Sequence, residues 1–352
     1  MTIGVALLGA GIFALEHHLP AIKACPNFTL KAIYSRSRDS ADVAVSQCDL
    51  PSVDAYFDFP TTTDEAEQRD LTLLLQRSDI QAVIIALPIL VQPDVIRKAM
   101  SAGKHVLSEK PIAKDLETAQ QLITFHKDYP VKWAVGENFR FWPAVVKAFE
   151  ILKGSRGELV TFSVKFSTFV DDKDKYFQTE WRAEPGYQGG FLLDGGIHFI
   201  AILRYLLSAL GQEIATLSAF TDLLQDRLKP VDTIHAVAQT SQGRSGSFDV
   251  SFGTAFNEGF EIVVVTDACS VTIRPTEVTT RIQYDKGEKT ESVEKVEMSF
   301  GVVEEVAAFS GAILGGELDV RISPREALGD LKMLEAMLRS GENGGSIKNL
   351  QN

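Results

Sequence analysis

Two short stretches carry side chains suited to moving a proton beside a reacting oxygen. Glu109-Lys110-Pro111 closes a β-rich run that begins at His105, and Asp194 and His198 lie four apart in Gly189-Gly190-Phe191-Leu192-Leu193-Asp194-Gly195-Gly196-Ile197-His198. On a helix that spacing turns both side chains to one side. Hydride transfer to a carbonyl leaves an alkoxide that needs a proton, and the reverse reaction needs a base; histidine and lysine are suited to either task. Each residue alone also has an ordinary reading. Lys110 could be a surface lysine at a strand end, Asp194 a helix cap and His198 a core histidine.

A hydride carrier is indicated at the other end of the first domain. Gly9-Ala10-Gly11-Ile12-Phe13-Ala14 follows the first strand-like run and opens a helix, the context in which G-x-G-x-x-G/A binds a dinucleotide. Gly9 permits the tight turn, Gly11 lets the backbone approach a pyrophosphate, and Ala14 is small enough for close helix–strand packing. The helix start at Ile12 and Phe13 offers N–H donors to the anion. A glycine turn without a ligand is the alternative. An NAD site places Asp or Glu about 20 residues beyond this motif. Tyr34-Ser35-Arg36-Ser37-Arg38 stands there instead, with no carboxylate until Asp39. This favours a 2′-phosphate, paired by Arg36 with Ser35, Ser37 and Arg38 around it, over a set of solvated loop charges. Leu87, Pro88, Glu109 and Lys110, at the ends of later strands, complete the cofactor-binding expectation for this domain.

These groups need a scaffold, and the first third of the chain supplies its rhythm. Runs at 3–9, 30–35, 82–87, 105–109 and 132–135 alternate with helical stretches, which indicates βαβ units and a parallel sheet. Val83-Ile84-Ile85-Ala86-Leu87 is apolar on successive residues, as strands covered on both faces are. A helix over 143–152 leads onward. Beyond about residue 158 longer alternating strands take over, expected at 159–170, 214–221, 233–241, 244–252, 260–266, 270–274, 279–284 and 291–298. Turn signals stand at Gln242-Gly243 and Lys286-Gly287. Helices are expected over 191–210, 302–314 and 324–339, the last with a Ser323/Glu326 capping box and Gly341 as its stop. The reading is an α/β protein: residues 1–138 form a doubly wound, Rossmann-type dinucleotide-binding domain. Residues 139–352 form an α+β domain with a large, mostly antiparallel sheet; that the sheet is open and the domain serves substrate binding and oligomerisation is what a family resemblance of the motifs implies.

With 352 residues, 45% of them hydrophobic, the chain has material for two cores. Forty-seven acidic against 35 basic residues give a net charge of −12, which argues against nucleic acid and anionic membrane as partners. No apolar run is long enough to span a bilayer and no basic start precedes the apolar N-terminus, so a soluble cytoplasmic protein is expected. Cys25, Cys48 and Cys269 are scattered and fit neither a disulfide framework nor a zinc site. His17-His18 is a tempting metal pair, but adjacent helical residues diverge and no ligand set completes them, so no metal is expected. Asp171-Asp172-Lys173-Asp174-Lys175 lacks the glycine and glutamate of a calcium loop and reads as solvated.

Taken together, the motifs resemble the Gfo/Idh/MocA family of oxidoreductases over nearly the whole chain. The family's E-K-P is Glu109-Lys110-Pro111 here, and its glycine-preceded D-x-x-x-H helix is Gly189-Gly190 through Asp194 and His198. Glu137-Asn138-Phe139-Arg140-Phe141-Trp142-Pro143 and Thr179-Glu180-Trp181-Arg182 look most like a fungal branch described as NADP-dependent. The resemblance implies Lys110, Asp194 and His198 as the catalytic set, with Asn138, Trp181 and Arg182 near the nicotinamide end. It also implies NADP(H) as cofactor, hydride exchange with a carbonyl or secondary alcohol of a sugar-like or other small polar substrate, and a homodimer or homotetramer through the open sheet. For that sheet, Ile262, Val264 and Ile273 are the expected uncovered residues. Two other readings use the same fold: a glycosidase that oxidises transiently and regenerates its nicotinamide, and a non-catalytic NADP(H) sensor.

Overall fold

The glycine-rich turn lies where a parallel sheet changes its winding direction. The computed structural model describes residues 2–50, 52–58, 69–155, 157–283 and 289–351. Its first sheet contains β1 (Ile3–Leu8), β2 (Phe28–Ser35), β3 (Asp54–Phe57), β4 (Ala82–Ile85), β5 (His105–Glu109) and β6 (Trp133–Gly136) in the order β3-β2-β1-β4-β5-β6. All pairs are parallel. The chain winds outward from β1 to β3, then crosses to β4, so the carboxyl ends of β1 and β4 flank the crevice where such sheets bind ligands. Connecting helices are α1 (Leu19–Ala24), α2 (Arg38–Cys48), α3 (Leu71–Gln76), α4 (Gln92–Ser101) and α5 (Leu116–His126). Successive residues Val5 to Leu8 and Ala82 to Ile85 are fully buried, which explains their unbroken apolar sequence. All five strands read from the sequence match to within a residue or two at each end, 82–87 ending two residues early at Ile85. β3 escapes the pattern because its Asp-Ala-Tyr-Phe is short and mostly half-buried.

The second unit opens with α6 (Pro143–Gly154) and β7 (Leu159–Ser167). The short α7 (Glu180–Ala183), a π-helical turn at Leu192–Gly196 and α8 (Ile197–Ser208) follow. Then come β8 (Ile214–Asp222), β9 (Thr233–Thr240), β10 (Ser245–Ser251), β11 (Gly259–Thr266), β12 (Cys269–Arg274), β13 (Glu277–Gln283) and β14 (Lys289–Lys295). Pairing is antiparallel except between β10 and β7. α6 packs on β12 and β13. The turn expected at Lys286-Gly287 and the end of the strand expected at 279–284 lie outside the described residues.

One expectation for this sheet is reversed. Ile262, Val264 and Ile273 are buried, not uncovered. Pairing sets Ile262 opposite Val164 and Ile273, and Val264 opposite Phe162 and Val271, all on the covered face. The open face carries the alternate residues Thr161, Ser163, Val237, Ser247, Val263 and Val265, which line a shallow groove. Four apolar residues in succession, Ile262 to Val265, leave the phase of β11 undetermined locally; its partner strands choose it.

The chain's last stretch divides between the units. α9 (Val302–Ile313) and residues up to 328 group with residues 1–137, whereas α10 (Pro324–Glu342) continues from 329 with residues 138–301, and β15 (Lys348–Asn349) pairs with β8. A single cut at 138 therefore misses the return of 302–328 to the first unit. Ser323 Oγ accepts the Glu326 N–H at 3.2 Å, as a capping residue should. Gly341 does not stop the helix. It lies inside α10, where an added Cβ would stand 2.2 Å from Thr221 Oγ1, so it serves a close approach to β8. Among the described residues no helix is long and apolar enough to cross a membrane. Cys25, Cys48 and Cys269 are free and buried.

Candidate active site

The cofactor residues expected in the first unit all fall at the carboxyl ends of its parallel strands. Gly9, Gly11, Ile12 and Phe13 follow β1; Ser35 closes β2 and precedes Arg36, Ser37 and Arg38. Leu87 and Pro88 follow β4, while Glu109 closes β5 and Lys110 comes next. Gly9 has a φ of +129° and lies so close to β4 that a Cβ would be 2.2 Å from the Ala86 carbonyl oxygen. Only glycine is admitted there. A Cβ at Gly11 would meet nothing within 4 Å, so its backbone is open to a close-approaching group. Ala14 is buried behind it, and the helix begins at Ile12. A wedged glycine, an open one and a helix start together make a cradle that fits a dinucleotide pyrophosphate.

At the end of β2 the four expected side chains are not equivalent. Ser37 caps α2: its Oγ accepts the Ser40 N–H at 3.3 Å and donates to Ser40 Oγ at 2.8 Å. Arg38 lies over the Phe57 ring at 5.6 Å and faces Asp42 at 3.5 Å. Arg36 is exposed, and its guanidinium forms no ion pair or hydrogen bond with a described residue. Behind it the Tyr34 hydroxyl donates to Asp58, and burial together with that carboxylate holds the phenol well above its usual range.

Beneath Lys110 lies a cluster that the sequence did not announce. His18 is buried in a π-helical turn, Ala14–His18, with Nε2 2.6 Å from Glu109 Oε1, and Glu109 Oε2 accepts the Lys110 N–H at 3.2 Å. Phe13 meets the His18 ring edge to face at 5.4 Å. Glu305 of α9 is buried beside Gly136, where a Cβ would be 2.9 Å from Glu305 Oε1. Burial, then the charges of Glu109 and Glu137, push the Glu305 carboxyl well above the usual carboxylate range. A charged residue within the apolar stripe of Val302, Val306 and Phe309 was the available signal for Glu305. His17 stacks obliquely on Phe13 at 4.6 Å. Among the described residues no group of three or more His, Cys, Asp or Glu is arranged to hold a metal ion.

The second unit assembles its own polar group. Asp194 sits in the π-helical turn Leu192–Gly196 and His198 in the first turn of α8, so the segment expected to be one regular helix widens at Asp194. Such turns recur at functional sites. Arg182 Nε donates to Asp194 Oδ2 at 2.6 Å, and its guanidinium lies over the rings of Trp181, at 4.0 Å, and Tyr176, at 5.1 Å. Burial, with the Asp194 charge, holds the Tyr187 hydroxyl well above its usual range and therefore protonated. His198 stacks on Phe139 with centroids 4.1 Å apart and planes 13° from parallel. Asn138 is buried and donates to the Phe300 carbonyl oxygen at 2.7 Å. The acidic loop is self-occupied: Asp171 accepts the Lys173 N–H and Asp174 accepts those of Tyr176 and Phe177.

Comparison with known proteins matches both parts of the chain to models of one family. Residues 3–137 match the model of the oxidoreductase family with an NAD-binding Rossmann fold, and residues 147–272 match the GFO/IDH/MocA C-terminal domain. Dehydrogenase FPY6 of Fusarium mangiferae is 46% identical over 348 residues, spanning 98% of both chains. An oxidoreductase from Thermotoga maritima superposes with a TM-score of 0.85 at 28% identity, covering 99% of this chain and 98% of that one. An oxidoreductase from Agrobacterium radiobacter, solved with NAD+, L-tartaric acid and magnesium, has a TM-score of 0.82. It is 19% identical and covers 99% of this chain and 98% of its own.

Proposed function

The chain belongs to the Gfo/Idh/MocA oxidoreductase family, and we propose that it is an NADP(H)-dependent oxidoreductase acting on a carbonyl or secondary alcohol of a sugar-like or other small polar substrate. The observation that carries this reading is the position of Lys110. It follows β5 on the same edge of the same sheet as the Gly9–Phe13 cradle, so one bound dinucleotide can reach from the glycine turn toward it.

Bound NADP(H) would supply or accept the hydride at nicotinamide C4. Gly9, Gly11, Ile12 and Phe13 hold the pyrophosphate, with Leu87, Pro88 and Glu109 along the same edge. Arg36, assisted by Ser35 and Ser37, pairs with the 2′-phosphate. The NADP(H) preference rests on Tyr34 to Arg38, a run that carries no carboxylate until Asp39. Lys110 donates to the reacting oxygen and offsets its negative charge. His198 gives that oxygen its proton or removes it. Asp194, held by Arg182, accepts from a neighbouring substrate hydroxyl, and Asn138, Trp181 and Arg182 border the nicotinamide end. The open face of the second sheet is assigned to self-association as a dimer or dimer of dimers.

A screen of NADPH oxidation across aldehydes, ketones, diketones and keto-sugars, with the matching alcohols tested against NADP+, decides the reading. Stoichiometric NADPH turnover with a carbonyl substrate supports it. Conversion of a glycoside without net nicotinamide turnover, or tight NADPH binding with no turnover on any substrate, would overturn it.

A further inference from the structure

The sequence offers His17-His18 as an isolated pair with no task, and the structure gives one of them a specific position. His18 is 1% exposed, in the turn that follows the glycine cradle. Three carboxyl groups converge at the ends of β5, β6 and α9: Glu109, Glu137 and Glu305. Glu109 is the register partner of Gly136, the residue against which the Glu305 carboxyl presses. Glu109 therefore ends its strand beside other acids, and a partner must hold its carboxylate in one place. His18 Nε2 does so at 2.6 Å from Oε1, which leaves Oε2 to accept the backbone N–H of Lys110 at 3.2 Å.

We propose that His18 is a positioning residue for Lys110, acting through Glu109: the imidazole fixes the carboxylate, and the carboxylate fixes the backbone from which the lysine reaches its substrate. The ring contact between Phe13 and His18 extends the same chain of contacts back to the cofactor cradle. Burial and its acidic neighbours raise the Glu305 carboxyl above its usual range, which lessens the charge it sets against Glu109. The inference rests on the proposed role of Lys110 and adds to it a residue that touches neither substrate nor cofactor.

The test compares His18→Phe, which keeps the aromatic bulk against Phe13, with His18→Gln, which keeps an Nε2 donor, and with Glu109→Gln. The first readout needs no substrate: the acylation rate of the Lys110 amine by an amine-reactive ester, followed by peptide mass spectrometry with exposed Lys114 as internal reference. His18→Phe and Glu109→Gln should change the Lys110-to-Lys114 ratio several-fold, His18→Gln should restore most of the wild-type ratio, and NADPH affinity should hold in both His18 variants. The second readout is turnover on the substrate found by the screen. His18→Phe should lower kcat by about ten- to a hundredfold at little-changed KM, as misplacing a catalytic group does. A wild-type labelling ratio in His18→Phe overturns the inference, as does a ratio that His18→Gln fails to restore in a normally folded protein. If Lys110→Met keeps wild-type turnover, the functional reading fails separately while the labelling ratios still decide whether His18 positions the lysine. Should His18→Phe not fold, Glu109→Gln carries the same two readouts.

Discussion

Arg182 Nε lies 2.6 Å from Asp194 Oδ2, and both side chains are largely withdrawn from water. A carboxylate in that setting depends on its partner. Arg182→Leu takes the guanidinium away from a buried carboxylate, which should cost about 3 kcal/mol or more, while removing both charges should cost less than the sum of the two single changes. Denaturant midpoints of Arg182→Leu, Asp194→Asn and the double variant test this. Additive losses would show that the pair is not coupled.

This pair was half legible in the sequence. Asp194 and Arg182 were each singled out, through separate motifs, but nothing in a linear spacing of twelve residues says that one donates to the other. Local signals did well where the local pattern was decisive: β5 spans the residues read for it, with buried Val106 and Leu107 at its centre and Lys110-Pro111 directly after its end. They failed where a neighbour decides. β11 is apolar at four consecutive positions and takes its phase from β7 and β12. Gly341 was read as a stop, although contact with Thr221 across the unit is what demands glycine there. Glu305 reaches Glu109 and Glu137 only because α9 returns, about 165 residues after β6, to the first unit.

Cofactor preference follows from the inequality among the residues after β2. Ser37 is occupied in capping α2 and Arg38 in contacts with Asp42 and Phe57, so Arg36 should carry most of the 2′-phosphate recognition. Removing a charge-assisted pair worth roughly 1.5–3 kcal/mol, Arg36→Ala should weaken NADP(H) binding by about ten- to a hundredfold and NAD(H) binding much less. Arg38→Ala should change the NADP(H) affinity little. Calorimetry with both cofactors checks it, and equal losses for NADP(H) and NAD(H) in Arg36→Ala would count against phosphate recognition by this residue.

Glu305 makes stability depend on pH in a definite direction. Burial, then Glu109 and Glu137, raise its carboxyl above the ordinary value of 4.5 in the folded protein, so the folded state retains a proton that the unfolded chain releases. Stability contributed by this group is therefore fully present below the ordinary value and declines as pH rises toward the folded one. Glu305→Gln keeps a neutral side chain with an oxygen to accept the Glu137 N–H, and it removes that decline. Its thermal midpoint should match wild type near pH 4.5 and exceed it by a margin that widens as pH rises from there toward the folded value. A constant or narrowing margin would mean that Glu305 is already ionised in the folded protein.

Self-association is expected on the open face of the second sheet, now with Val237, Val263 and Val265 as its apolar residues. An exposed Val237 beside the half-buried Val263 and Val265 on a broad sheet face favours a two-fold contact. Val237→Asp with Val263→Asp should shift light-scattering mass from a dimer or tetramer toward the 38.6 kDa monomer without altering the circular dichroism spectrum. Wild-type protein that scatters as a monomer at micromolar concentration removes this assignment.

The enzyme reading itself depends on Lys110 and His198. Lys110 follows β5, apart from the Gly9–Phe13 turn and from Arg36, and His198 belongs to the second unit, so neither is needed for the cradle or for phosphate recognition. Lys110→Met and His198→Ala should therefore leave folding and NADP(H) affinity nearly intact. Turnover should collapse instead: losing general acid–base help costs about 10²–10⁴-fold, and losing an electrostatic stabiliser a similar amount, so each variant should lower kcat by at least about a hundredfold. Phe139 sharpens the case for His198. The stacked ring gives the imidazole a fixed plane, and Phe139→Ala should loosen it and lower kcat by less than His198→Ala does. If the lysine and the histidine serve one reacting oxygen, the double variant should be little worse than either single one, because a site that has lost one partner gains little from the other. Single variants with wild-type turnover and normal NADPH binding would leave a dinucleotide site without catalysis, and the sensor reading would then explain why this chain carries one.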